Sequence, residues 1–207
     1  MCRTGKSGLT EIYVVGCGPS LKGFDWSLLK DKTTIAVNGS VLDVPNPDFF
    51  LTADSSFAPT AAQNGFWGIK TQKIIVMSLT HRRFGVVKPY LCLFDHHIIP
   101  RRGDGIIGFS EDEFATGQCS GFCGMQLATI LGAKKIHLLG MDFCGDKDNN
   151  YHHRYQSDST KWNEFLLHFR MGINILKQHK VEVISHSSVS QLNDIIPFEP
   201  METVHAK

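Results

Sequence analysis

Short runs of apolar, β-branched and aromatic residues recur at 12–15, 34–37, 49–52, 73–77, 136–139 and 181–184. Several are apolar at consecutive positions, the pattern of strands covered on both faces. Between them the apolar positions shift to a helical period. It is clearest over 161–179, where Trp162, Phe165, Leu166, Phe169, Ile173 and Leu176 share a face and Asp158, Ser159 and Thr160 offer the N-cap. A second helical segment, 121–131, runs into Gly132, a natural stop. Strands alternating with helices predict an α/β sandwich with a mainly parallel sheet. The stretch 84–114, rich in Gly, His, Arg and Pro, is expected to form irregular loops around one short strand at 91–94. No repeat or linker divides the 207 residues. One domain is expected over 1–207, with its core in 11–195 and a candidate active-site lid over 144–158.

In a parallel sheet, ligands bind outside the carboxyl ends of the strands. The residues just after each run therefore take the functional reading first. They are Gly16-Cys17-Gly18-Pro19-Ser20, Asn38-Gly39-Ser40, Asp54-Ser55-Ser56 and Gly140-Met141-Asp142-Phe143, joined by 116–121 at the start of the second helical segment. Glycines, small hydroxyls, amides and carboxylates suit phosphate, ribose and a polar base. In the first cluster, Gly16 and Gly18 permit a tight turn and Pro19 stiffens its exit. Backbone N–H groups and the Ser20 hydroxyl are then placed to meet a phosphate or ribose. A standard nicotinamide site is disfavoured because the third glycine of that fingerprint is missing. A P-loop is excluded because no Gly-Lys-Ser/Thr follows.

Composition narrows the classes. The formal charge is +1, so no global field favours nucleic acid or an anionic membrane. His81-Arg82-Arg83 and Arg101-Arg102 are local basic clusters, read as solvated loop charge. No apolar stretch approaches the ~20 residues of a membrane span, and the first residues do not form a signal peptide. The six cysteines are scattered, several of them in apolar segments, which points to reduced thiols and a cytoplasmic protein. Cys119 and Cys123 with His152 and His153 lack the tight Cys-x-x-Cys turn usual in structural zinc sites, and no metal is expected there.

The blocks "VVGCGPSL", "PDFFLTAD" and "SGFCGMQLATILGAKKIHLLGMDF", with Asp25, Val37-Asn38 and a His-rich loop after them, resemble two related groups. One is the small bacterial sialyltransferases. The other is the 6-hydroxymethylpterin diphosphokinase-like family. The likeness runs over roughly 11–195. It implies a single Rossmann-like domain of the GT-A-variant type. Under the sialyltransferase resemblance the donor is CMP-sialic acid and no metal is essential. That resemblance makes Gly16, Gly18, Pro19 and Ser20 the loop for the donor's phosphate and ribose. Asn38 faces the nucleotide, Ser120 and Gly121 lie near cytidine, and Asp142 ends the shared strand. The general base is a histidine in the loop before the last long helix, here His153 or His152, with Tyr151 and Tyr155 beside them.

These residue types suit the reaction. Histidine, with an ordinary pKa of ~6.5, can deprotonate an acceptor hydroxyl at neutral pH. Tyrosine hydroxyls and loop amides can steady a leaving phosphate without a metal. Asp54 is a candidate substrate contact. His137, inside an apolar strand, reads as a satisfied core histidine, and His168 and His179 as surface residues of the long helix. Two features depart from the sialyltransferases: the chain is shorter, and Cys17 replaces a polar residue. Asp146 and Asp148 would hold Mg²⁺ only in a diphosphokinase. The leading expectation is a sialyltransferase-like glycosyltransferase acting on a nucleotide-sugar donor and a glycan or small-molecule acceptor. The alternatives are the Mg²⁺-dependent diphosphokinase and a non-catalytic nucleotide- or glycan-binding module. Homo-oligomerisation is left open.

Overall fold

The computed structural model describes residues 10–57, 59–60, 65–144 and 161–201. Seven strands form one sheet: β1 (Glu11–Val15), β2 (Thr34–Val37), β3 (Phe49–Thr52), β4 (Gln72–Val76), β5 (His96–Ile98), β6 (Lys135–Leu139) and β7 (Glu182–Ser185). Their order is β5-β4-β3-β2-β1-β6-β7, and every pairing is parallel. Among the described residues, the helices α1 (Phe84–Val87), α2 (Ser120–Ile130) and α3 (Trp162–Gln178) accompany them.

Alternation along the strands divides the interior in two. Ile12, Val14, Ile35, Val37, Leu51 and Leu138 face one side, where they pack with Phe122 and Met125 of α2 and Phe169 and Ile173 of α3. Tyr13, Val15, Ala36, Phe50 and Leu139 face the other. There the cover is made by 3₁₀ turns at Pro19–Leu21, Trp26–Leu29, Asn38–Leu42 and Phe66–Gly68, bringing Leu21, Leu29, Val41 and Phe66 onto the sheet. The result is the expected α/β three-layer architecture, with turns in place of long helices over most of this second face.

Helix α2 is buried from Gly121 to Thr129. A helix apolar on every side belongs between two layers, and this one lies between the sheet and α3. Its close seat requires Gly124, because a Cβ there would stand 2.6 Å from Val14 Cγ1. Helix α3 is amphipathic and opens with Lys161 at the N-cap position. The expected caps Asp158, Ser159 and Thr160 lie outside the described residues.

Three expectations need correcting. The strand placed at 91–94 is a 3₁₀ turn over Lys88–Leu93 that starts around Pro89, and β5 follows it at His96–Ile98. Proline fixes φ and lacks the N–H a ladder needs, which favours the turn. His168 is buried rather than exposed, because Gly105 brings its backbone onto the helix there. His137 is only half satisfied. Its Nδ1 lies 2.7 Å from His186 Nε2 and its ring stacks on Tyr13 at 4.1 Å, but its Nε2 has no hydrogen-bond partner. Burial, the neighbouring His186 and nearby lysines push the His137 pKa down to about 3, so the imidazole is neutral at physiological pH.

Candidate functional site

Chain order reverses between β1 and β6, which makes their carboxyl ends the switch point where open α/β sheets bind ligands. Here the two outgoing loops are bound together. The Gly16 N–H donates to Leu139 O at 2.8 Å, and the Gly18 N–H to Gly140 O at 2.9 Å. Asp142 completes the clamp: one carboxylate oxygen accepts the Ser20 N–H at 2.7 Å and the other accepts the Ser20 hydroxyl at 2.8 Å. The glycines are demanded by this crossing. A Cβ on Gly16 would lie 2.6 Å from Gly140 O, and one on Gly18 would lie 2.5 Å from Asp142 Oδ2.

Above the clamp opens a cavity of about 780 Å³, within the roughly 300–1,000 Å³ usual for small-molecule sites. Gly16, Gly18, Pro19, Asn38, Asp54, Ser120, Gly121 and Asp142 all line it. Residues drawn from five separate stretches of chain thus meet in one place. Ser20 does not line the cavity, since Asp142 holds both of its donors beneath the loop. His152, His153, Tyr151, Tyr155, Asp146 and Asp148 lie outside the described residues. Cys144 and Lys161, which bracket residues 145–160, both line the cavity.

The polar groups are held in defined directions. Asn38 starts a 3₁₀ turn with a left-handed φ of 54°, and its Oδ1 accepts the Thr52 hydroxyl at 2.7 Å. Its Nδ2 donates to none of the described residues. Ser120 Oγ accepts the Ala53 N–H at 3.1 Å, tying the first turn of α2 to the end of β3 and leaving its own hydrogen to donate. No side chain caps α2, so the N–H groups of its first turn remain as donors beside the cavity. Asp54 accepts from the Ser56 N–H and hydroxyl, each at 2.8 Å. Gln118 (φ 55°) and Phe143 (φ 52°) join Asn38 among the cavity-lining residues with left-handed backbone. Such strain in non-glycine residues gathers where function demands a particular geometry.

Cys17 also lines the cavity, but burial drives its thiol up to about 12. It is a small apolar filler rather than a nucleophile. Among the described residues no cluster of three His, Cys, Asp or Glu side chains could hold a metal ion. No described helix is long and apolar enough to cross a membrane.

His81, Arg82 and Arg83, with Lys161 from the start of α3, also stand on the cavity wall. Reading 81–83 as solvated loop charge misses them. Their place just beyond the 73–77 run is the available signal, since strand-end residues of this sheet face the ligand.

Solved structures share this fold. The sialyltransferase CstII from Campylobacter jejuni, in complex with the substrate analogue cytidine-5'-monophosphate, matches with a TM-score of 0.59 at 18% identity, over 97% of this chain and 89% of that one. A point variant of the sialyltransferase CST-II, in complex with CMP, gives 0.56 at 18% identity, over 92% and 87%. The monofunctional alpha-2,3-sialyltransferase Cst-I from Campylobacter jejuni gives 0.51 at 16% identity, over 93% and 81%. No protein-family model and no curated protein matches the chain. At these identities the likeness is one of fold, and it lies with the sialyltransferases of the two groups that the sequence resembles.

Proposed function

We propose that this protein is a glycosyltransferase of sialyltransferase type, which moves a sugar from a CMP-linked donor to an acceptor hydroxyl. One observation supports the reading: Gly16, Gly18, Pro19, Asn38, Ser120, Gly121 and Asp142, among the residues that the resemblance assigns to the nucleotide, line a single cavity at the switch point of a sialyltransferase-like fold. In this reading the backbone of Gly16–Pro19 and the first turn of α2 receive phosphate and ribose, while Asn38 Nδ2 and the Ser120 hydroxyl donate to the nucleotide.

Transfer forms a bond between the acceptor oxygen and the sugar's anomeric carbon and breaks the bond from that carbon to the donor phosphate oxygen. The acceptor proton goes to a base, assigned to His153 with His152 as the alternative. CMP leaves with the bonding electron pair. Tyr151 and Tyr155 donate to its phosphate, and Asp54 orients substrate. The described ends of the intervening segment, Cys144 and Lys161, place both of its attachment points at the cavity. No step is routed through a metal.

Titration of the purified protein with nucleotides in EDTA tests the binding half of this reading. CMP is expected to bind saturably and to raise the melting temperature, a ligand at a hundred times its Kd adding ~2.7 kcal/mol. ATP under the same conditions should give no comparable shift. A shift produced only by ATP with Mg²⁺ would defeat the proposal.

A further inference from the structure

We infer that the cavity has a second anion site, on the loop after β4, that selects an acceptor carrying a phosphate group. This rests on the nucleotide-sugar reading of the same cavity. Its lining there includes His81, Arg82 and Arg83, with Lys161 from the α3 end. The whole chain carries a formal charge of only +1, so the consecutive basic side chains of His81, Arg82 and Arg83 in the cavity lining are a local concentration, with Lys161 elsewhere in the same lining.

The loop does not use the Arg82 and Arg83 side chains to hold itself together. Ser78 Oγ accepts the Thr80 N–H at 3.2 Å, Ser78 O accepts the His81 N–H at 3.0 Å, and His81 O accepts the Phe84 N–H at 2.8 Å. The Arg83 N–H donates to His81 Nδ1 at 3.2 Å. That contact puts the His81 ring proton on Nε2, a donor. Among the described residues Lys135 pairs with Glu182, and the neutral His137 lies 3.6 Å from Glu11. Among those residues neither guanidinium nor the Lys161 ammonium is matched by a carboxylate.

Position separates this wall from the donor's phosphate. Strand β4 stands three places from β1 in the sheet, about 14 Å at ~4.8 Å per strand. The donor's own phosphate is assigned to the loop after β1 and the first turn of α2. A charged group reaching the loop after β4 is therefore not the donor's phosphate, and the inference assigns it to the acceptor. Two adjacent arginines offer forked donors that match phosphate oxygens, and a phosphate monoester carries about −1.5 to −2 at neutral pH. The single charge of a carboxylate answers two guanidinium groups less well.

The test uses the full chain, the double variant Arg82→Ala/Arg83→Ala, and calorimetric titration with inorganic phosphate, glucose 6-phosphate, glucuronate and glucose, each with and without saturating CMP. The inference expects both phosphate ligands to bind wild type in the presence of CMP, glucose not to bind, and glucuronate to bind more weakly. The double variant should lose at least about tenfold in phosphate affinity, the loss of charge-assisted bonds, while its Kd for CMP stays within about twofold. Phosphate binding should also weaken as salt rises, as it does for exposed charges. Equal binding of phosphate by the variant, or glucuronate as tight as glucose 6-phosphate, overturns the inference. A matching loss of CMP affinity assigns the wall to the donor and overturns it too. If wild type ignores CMP yet binds phosphate through these arginines, the nucleotide reading fails and the anion site stands. If CMP binds and no phosphate ligand does, the anion site alone falls.

Discussion

Replacing His152 and His153 together by alanine is expected to lower kcat by about 10²–10⁴-fold, the usual contribution of a general base. The Kd for CMP should hardly change, because a group that acts on the acceptor proton contributes to the transition state and not to nucleotide binding. Cys144 and Lys161, the described residues on either side of 145–160, both line the cavity, which supports assigning the base to His153 or His152. Three of the described histidines are poor substitutes. His137 is neutral and bonded to His186; His168 is buried in α3. His81 lies on the cavity wall but is assigned to anion binding. Of the two single variants, His153→Ala should carry most of the loss. Full turnover in the double variant would remove both residues from the mechanism.

Asp142→Ala should be the most damaging single change in the clamp beneath the cavity. Asp142 is buried and accepts both the Ser20 N–H and the Ser20 hydroxyl. Alanine leaves that N–H without its acceptor in a part-buried place, at a cost of about 1–3 kcal/mol. For a chain of this size the melting temperature should fall by roughly 3–10 °C. The loop over Gly16–Pro19 loses its side-chain anchor to the β6 end as well, so CMP affinity should drop by about tenfold or more. Asp142→Asn keeps one acceptor oxygen and Ser20→Ala removes only the hydroxyl bond; both should be milder. A thermal melt and a CMP titration across the three variants check the order. Equal losses in all three, or wild-type behaviour of Asp142→Ala, would show that the clamp does not shape the nucleotide loop.

Much of this fold is legible in the sequence for a physical reason. Runs buried on both faces of a parallel sheet tend to be apolar at successive positions, a pattern clear in β1 and β3 and interrupted by polar residues in β4, β6 and β7. The edge strand β5 does not show it, since it is three residues long and begins with two half-buried histidines, one of which reaches Met77 O through Nε2 at 2.8 Å. The 3₁₀ turns that cover the second face are too short for a periodic signal. Both long helices are legible, but the burial of His168 is not, because it depends on Gly105, far away in the chain.

The site divides in the same way. Gly16 and Gly18 announce a close approach, and the structure shows that approach to be made by Gly140 and Asp142. The Ser20 partner lies 122 residues downstream, a distance that no local pattern spans. The hydroxyl expected to meet a ligand is consequently a brace. Asn38, Ser120 and Gly121 line the cavity. Composition alone discounts the basic wall, although its strand-end position argues for it.

Release of CMP from CMP-sialic acid is the most direct measurement of the central claim, made in EDTA with the purified full chain and neutral and phosphorylated sugars offered as acceptors. The account predicts that free CMP accumulates catalytically, faster with an acceptor than without, and that the His152→Ala/His153→Ala variant loses this release while still binding CMP. Intact donor after prolonged incubation with folded, CMP-binding wild-type protein would contradict it, and so would turnover that appears only with ATP and Mg²⁺.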